Sequence, residues 1–109
     1  MTLQLISIQK AKKKGKKYTA NFVKDGKPIS ISFGADGYRD FTLLNKKGNK
    51  HYLEDKAARE KVKAAYLSRH RRNENWSKPD SAGSLSKWLL WNKPTFAASL
   101  RDFKKRFKF

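Results

Sequence analysis

Over the first 34 residues, apolar and polar positions exchange with a period of two. Leu3, Leu5, Ile6 and Ile8 nearly alternate, with an irregularity at Ile6. Tyr18, Ala20 and Phe22 are spaced by Thr19 and Asn21, and Ile29, Ile31 and Phe33 by serines. Side chains two apart share one face of a strand, so each run predicts a half-buried strand. Asp25-Gly26 is a hairpin turn signal, and Gly15 centres the preceding connection. Together they predict a three-stranded antiparallel meander. Gly34-Ala-Asp-Gly37 interrupts it; Tyr38, Phe41, Leu43 and Leu44 then predict a fourth strand, ending at Lys47-Gly48-Asn49.

From Leu53 to Asn73 the period becomes helical, with Ala58, Val62, Ala65 and Tyr66 on one side and Arg69 or His70 in line with them. Glu54 and Asp55 in the first turn and Arg69, Arg71 and Arg72 at the last complement the helix dipole. Glu60 has Lys56 and Lys63 within helical reach. A polar connector, Asn73 to Pro79, is anchored by Trp76, with Asn73, Glu74 and Asn75 as its hydrogen-bonding network. The densest apolar stretch follows: Leu85, Trp88, Leu89, Leu90 and Trp91. Leu85, Trp88 and Leu89 recur at i, i+3, i+4, predicting a short helix capped by Asp80 or Ser81 and stopped by Pro94. Pro94-Thr95 opens a last helix, with Asn92 as a candidate cap. It carries Phe96, Leu100, Phe103 and Phe107 on one face and Arg101, Lys104, Lys105, Arg106 and Lys108 on the other.

Strands first and helices second predict an α+β fold: an N-terminal antiparallel three- to four-stranded sheet packed against about three C-terminal helices. One domain spans residues 1–109, with the sheet within 1–44 and the helices within 53–108. The candidate core is Trp76, Leu85, Trp88, Leu89, Trp91, Leu100 and Phe103. An exposed tryptophan used for docking is the competing reading of that segment.

Charge changes the picture more than any motif. There are 27 lysines and arginines against 9 aspartates and glutamates, a net charge of +18, and the mean hydropathy is −0.89. Repulsion on this scale destabilises a compact monomer unless a polyanion neutralises it. Aromatic residues make up 13% of the chain, too many for a plain disordered basic tail. The absence of cysteine excludes a disulfide framework and thiolate zinc sites. No run is long enough for a membrane span, and the N-terminus lacks a secretion signal pattern.

Three basic clusters are candidate phosphate contacts. Lys12, Lys13, Lys14, Lys16 and Lys17 crowd the first hairpin connection, where lysines attract phosphates by counterion release. Arg69, Arg71 and Arg72 end the first helix with guanidinium forks suited to bidentate contact. Arg101, Lys104, Lys105 and Arg106 line the last helix. His51 with Glu54 is a weak metal pair, and His70 with Glu74 reads as a structural hydrogen bond. Asp36, Asp40 and Glu54 lack a spacing that fixes metal geometry. No catalytic residues, metal or cofactor are assigned. The last two helices also fit a helix-turn-helix, but the basic face has few groups that read base edges.

Several segments together resemble a family of uncharacterised small basic proteins encoded by giant, nucleocytoplasmic large DNA viruses. They are Arg69-His-Arg-Arg-Asn-Glu-Asn-Trp76, Ala82-Gly83, Trp88-Leu-Leu-Trp-Asn-Lys-Pro-Thr95, Ala98-Ser99, Asp102 and Arg106-Phe107, with Gly34 to Asp40 and Phe41-Thr42 before them. The resemblance implies a viral origin and a place in the virion or in the cytoplasm or nucleus of the infected cell. It implies no activity and no active-site residues. From the charge, the expectation is non-enzymatic, largely sequence-independent binding of nucleic acid, double-stranded DNA first, in genome condensation or packaging. The alternatives are a structural virion protein docked on an acidic partner and a small metal-dependent nuclease.

Overall fold

The computed structural model describes residues 2–109. Three strands, β1 (Leu3–Lys10), β2 (Lys16–Lys24) and β3 (Lys27–Ala35), form an antiparallel sheet in the order β1-β2-β3. Turns with positive φ at Gly15 and at Asp25 and Gly26 join them. The register of β1 shifts between Leu5 and Ser7. This bulge absorbs one residue, so Leu3, Leu5 and Ile8 all face the core while Ile6 is 60% exposed. The opposite face is polar: Thr19 hydrogen-bonds Ser32, and Asn21 bridges Ser7 and Ser30.

The helices follow as expected, and the architecture is α+β. The expected fourth strand is instead a single helical turn, α1 (Phe41–Leu44). Asp40 caps it, its carboxylate accepting from the Leu43 amide at 3.1 Å. The turn buries Phe41 and Leu44 and leaves Tyr38 outside it in solvent. The sheet therefore ends at Ala35 rather than near Leu44.

Helix α2 (Lys56–His70) starts one residue after its cap, Asp55, and Glu54 lies before the helix rather than in its first turn. Arg71 is its C-cap and Arg72 lies beyond. Val62, Tyr66 and Leu67 pack on the core, whereas Ala65, expected there, is exposed. The tryptophan segment opens with α3 (Ala82–Leu85), capped by Ser81, and widens into a π-helical turn over Ser86–Leu90. It stops at Trp91, short of Pro94. Helix α4 (Phe96–Phe107) is capped by the Thr95 hydroxyl; Asn92 does not cap it but donates to the Asp102 carboxylate at 2.7 Å.

The core lies between the inner sheet face and the C-terminal elements. Ala20, Phe22 and Phe33 meet Leu85, Leu89, Leu90, Trp91 and Phe103, closed by Phe41 and Leu44. Tyr18 stacks on Phe96 with ring centres 4.7 Å apart. Leu85, Leu89, Trp91 and Phe103 are buried as expected, while Trp88 and Leu100 are half-buried against the cluster. Trp76, expected in the core, is neither in the buried cluster nor among the residues packed on it: its indole donates to Glu74 and Lys87 covers its ring, so the connector and not the core holds it. No helix among the described residues is long and apolar enough to cross a membrane.

Candidate nucleic-acid interface

The lysine hairpin divides into two parts. Lys12, Lys13 and Lys14 are exposed in the turn, and Lys16 is exposed at the start of β2. Lys17 is not. Its ammonium lies 2.6 Å from the Asp40 carboxylate and 2.6 Å from the Tyr38 carbonyl oxygen. The two charged side chains are only 12% and 3% exposed. Gly34 makes room for this pair: a Cβ there would lie 3.1 Å from Lys17 Cβ and 2.9 Å from Leu90 Cδ1. Lys17 is thus an internal cation, unlike its four neighbours.

Lys16 lines a cleft with the end of α2. This cleft, of about 450 Å³, lies between β3, the loop after it, α2 and α3. Phe33, Leu90 and Trp91 contribute apolar wall, Tyr66 and His70 aromatic wall, and Lys16, Arg39 and Arg69 cationic rim. The Tyr66 ring is sandwiched: Trp91 lies 4.1 Å away and nearly parallel at 6°, and His70 lies 4.1 Å away on the same ring. Both cleft carboxylates are engaged. Asp40 holds Lys17 and accepts from the Thr42 hydroxyl. Glu74 pairs with His70 Nδ1 at 3.0 Å and accepts from the Trp76 indole at 2.8 Å. The expected His70–Glu74 hydrogen bond is present, with Asn75 pinning the connector through bonds from Ser77 and Ser84.

Arg71 and Arg72 are exposed just beyond α2, but only Arg69 of that cluster lines the cleft. The α4 cations lie elsewhere. Arg101, Lys104 and Lys105 are exposed, and Arg106 lies over the Trp88 ring at 4.0 Å with Asp102 3.6 Å from its Nε. Lys87 covers the same indole at 3.9 Å and Trp76 at 4.9 Å. Burial, with Lys63 and Arg106 adding to it, holds the Lys87 ammonium below the ordinary lysine range. The Asn92 hydrogen bond, aided by Arg106, holds Asp102 below its ordinary value. Trp88 is therefore a half-buried ring clasped by cations, its indole N–H donating to the Trp76 carbonyl at 2.8 Å.

Tyr38 and Arg39 were not among the sequence candidates, nor was a further basic group, Lys56, Arg59, Lys63 and Lys93, beside Phe41. Asp36, Asp40 and Glu54 do not assemble: among the described residues no three His, Asp or Glu side chains form a metal-holding group. Compared with models of protein families, with curated proteins and with solved structures, the chain matches none.

Burial, with the Glu74 and Asp40 carboxylates adding to it against Arg69, pushes the Tyr66 hydroxyl up to about 12. An acid whose folded value is raised stays neutral in the fold while the unfolded chain ionises. Its contribution is complete below the ordinary tyrosine value of 10.0 and is lost as pH rises toward 12. Tyr66→Phe should therefore lose less stability than the parent across that window. Denaturant unfolding of the two proteins at matched pH checks this; parallel declines would exclude Tyr66 as the titrating group.

Proposed function

We propose that this protein binds nucleic acid without catalysis and largely without regard to sequence, with double-stranded DNA as its main target. One observation carries the reading. Of 27 lysines and arginines, only Lys17, Lys24 and Arg106 form ion pairs among the described residues. The remainder is mostly exposed cation with no internal partner. It is spread over the first hairpin, the end of α2 and the outer side of α4 of a molecule 45 Å long. Such a distribution suits a stiff rod carrying one charge per roughly 1.7 Å. The exposed cations form salt-sensitive contacts to phosphate and include few groups that distinguish base edges. Condensation or packaging of a viral genome is the setting proposed, the binding argued from the charge and the viral origin from the resemblance.

A salt titration with two unrelated duplexes of equal length tests the reading. Both affinities should fall together by about 10³ or more between roughly 50 and 200 mM salt if six or more phosphates are contacted. Changing Lys12, Lys13, Lys14 and Lys16 to Gln should flatten the log–log slope by up to about 3.6 at roughly 0.9 per contact, with no loss of melting temperature. Binding indifferent to salt, or a hundredfold preference for one duplex, would overturn it.

A further inference from the structure

We infer that the cleft between β3, α2 and α3 receives one unpaired nucleotide, its base against the aromatic wall and its phosphate on the cationic rim. This rests on the nucleic-acid reading above and adds, beside duplex binding, a second mode of contact with single strands and strand ends.

The first observation is electrostatic. The cleft is lined by four cations, Lys16, Lys17, Arg39 and Arg69, against two carboxylates: Asp40, which pairs with Lys17, and Glu74, which shares a hydrogen bond with His70 and accepts from the Trp76 indole. Lys16, Arg39 and Arg69 have no ion-pair partner among the described residues and line the same cleft. The field at its mouth is therefore positive and selects an anion. An arginine fork on the rim matches a phosphate's oxygens in a way a point charge does not.

The second observation is aromatic. Tyr38 is 71% exposed and stands on this cleft, held there because its carbonyl oxygen receives Lys17 while its side chain has no place in the core. In the stack Trp91–Tyr66–His70 the middle ring has both faces taken and the half-exposed His70 ring ends the stack, so a base is a further flat π-face to follow it.

Size supplies the third. A volume of about 450 Å³ lies in the range of small-molecule sites. A paired base within a duplex offers only its edges, so these rings reach a base only when it leaves the stack. Stacking also explains how such a site remains indifferent to sequence, since every base has a face.

The full chain is titrated with three probes: an oligothymidylate of about ten nucleotides, within the site sizes of single-strand binders, an abasic strand of equal length and charge, and a relaxed, covalently closed duplex circle. The parent should bind the thymidylate about tenfold or more tightly than the abasic strand. Tyr38→Ala should erase that preference and Tyr38→Phe should keep it, while both bind the circle like the parent. Equal affinity of the parent for the two strands, or equal weakening of all three probes by Tyr38→Ala, would overturn the cleft site. Binding of the circle without discrimination between strands removes the cleft alone. Binding of the thymidylate without the circle keeps the cleft and removes the duplex reading.

Discussion

Trp91→Ala should cost the protein about 3–5 kcal/mol of stability, the range for truncating a large buried aromatic. Trp91 is 6% exposed and closes the core cluster formed by Phe33, Leu89, Leu90 and Phe103. It is also the inner ring of the stack that carries Tyr66 and His70, and such pairs add about 0.5–1.5 kcal/mol beyond area. Small domains hold only about 5–15 kcal/mol in total, so the variant loses a large share of the available stability. Each kcal/mol moves the midpoint of a domain near this size by about 4–8 °C, so a fall of at least about 12 °C is expected. Thermal unfolding followed by circular dichroism reads it. Trp88→Ala is the control: that ring is half-buried and clasped by Lys87 and Arg106, so its loss should be smaller. Equal shifts for the two variants would mean that the aromatic stack is not the anchor described above.

Lys17→Gln should cost about 3 kcal/mol, whereas the same change at Lys12, Lys13, Lys14 or Lys16 should cost almost nothing. Removing one partner of a buried pair strands the other charge. Here the stranded group is Asp40, whose side chain is 3% exposed and which caps α1. The Thr42 hydroxyl and the Leu43 amide would still bond it, but neither carries positive charge. Replacing both partners, Lys17→Met with Asp40→Asn, should recover most of the loss because no buried charge remains. Denaturant midpoints at constant slope read all three proteins. A Lys17→Gln midpoint as high as that of Lys14→Gln would show the pair to be incidental.

That contrast marks where sequence reading succeeded and where it stopped. The meander was legible because Tyr18, Ala20 and Phe22, and then Ile29, Ile31 and Phe33, keep one period around an Asp-Gly turn. The same period, carried back two residues, places Lys16 with Tyr18 on the core side and Lys17 with Thr19 on the other, the reverse of the burial found. Lys17 is internal because Asp40 and the Tyr38 carbonyl come in from the loop after β3, which no pattern within the lysine run reports. Near Tyr38 the apolar spacing fits neither period, and the deciding group was Asp40, an N-cap easily read as one more turn residue. Core residues of α4 were legible from Leu100 and Phe103. Trp76 and Trp88 were harder, because a tryptophan is as well served by a half-wet site with cations on its face as by a core. The cleft was least visible. Its walls come from β3, the Tyr38–Asp40 loop, α2 and the tryptophan segment, and no local pattern reports which distant segments will converge.

The bulge at Ile6 has a bearing on crowding. On a polyanion, many copies of this chain would lie side by side with their charges compensated, and mutual repulsion would no longer keep them apart. β1 is an edge strand, and a regular edge is a template on which a neighbour can pair. The register shift between Leu5 and Ser7 breaks the spacing of that edge and twists it away from a straight partner. At β3, the opposite edge, the next-to-last residue is the positive-φ Gly34, whose surroundings are filled by Leu90 and Lys17. Were the molecules packed densely along a charged rod, backbone geometry, which added salt does not screen, would oppose their zipping into a continuous sheet.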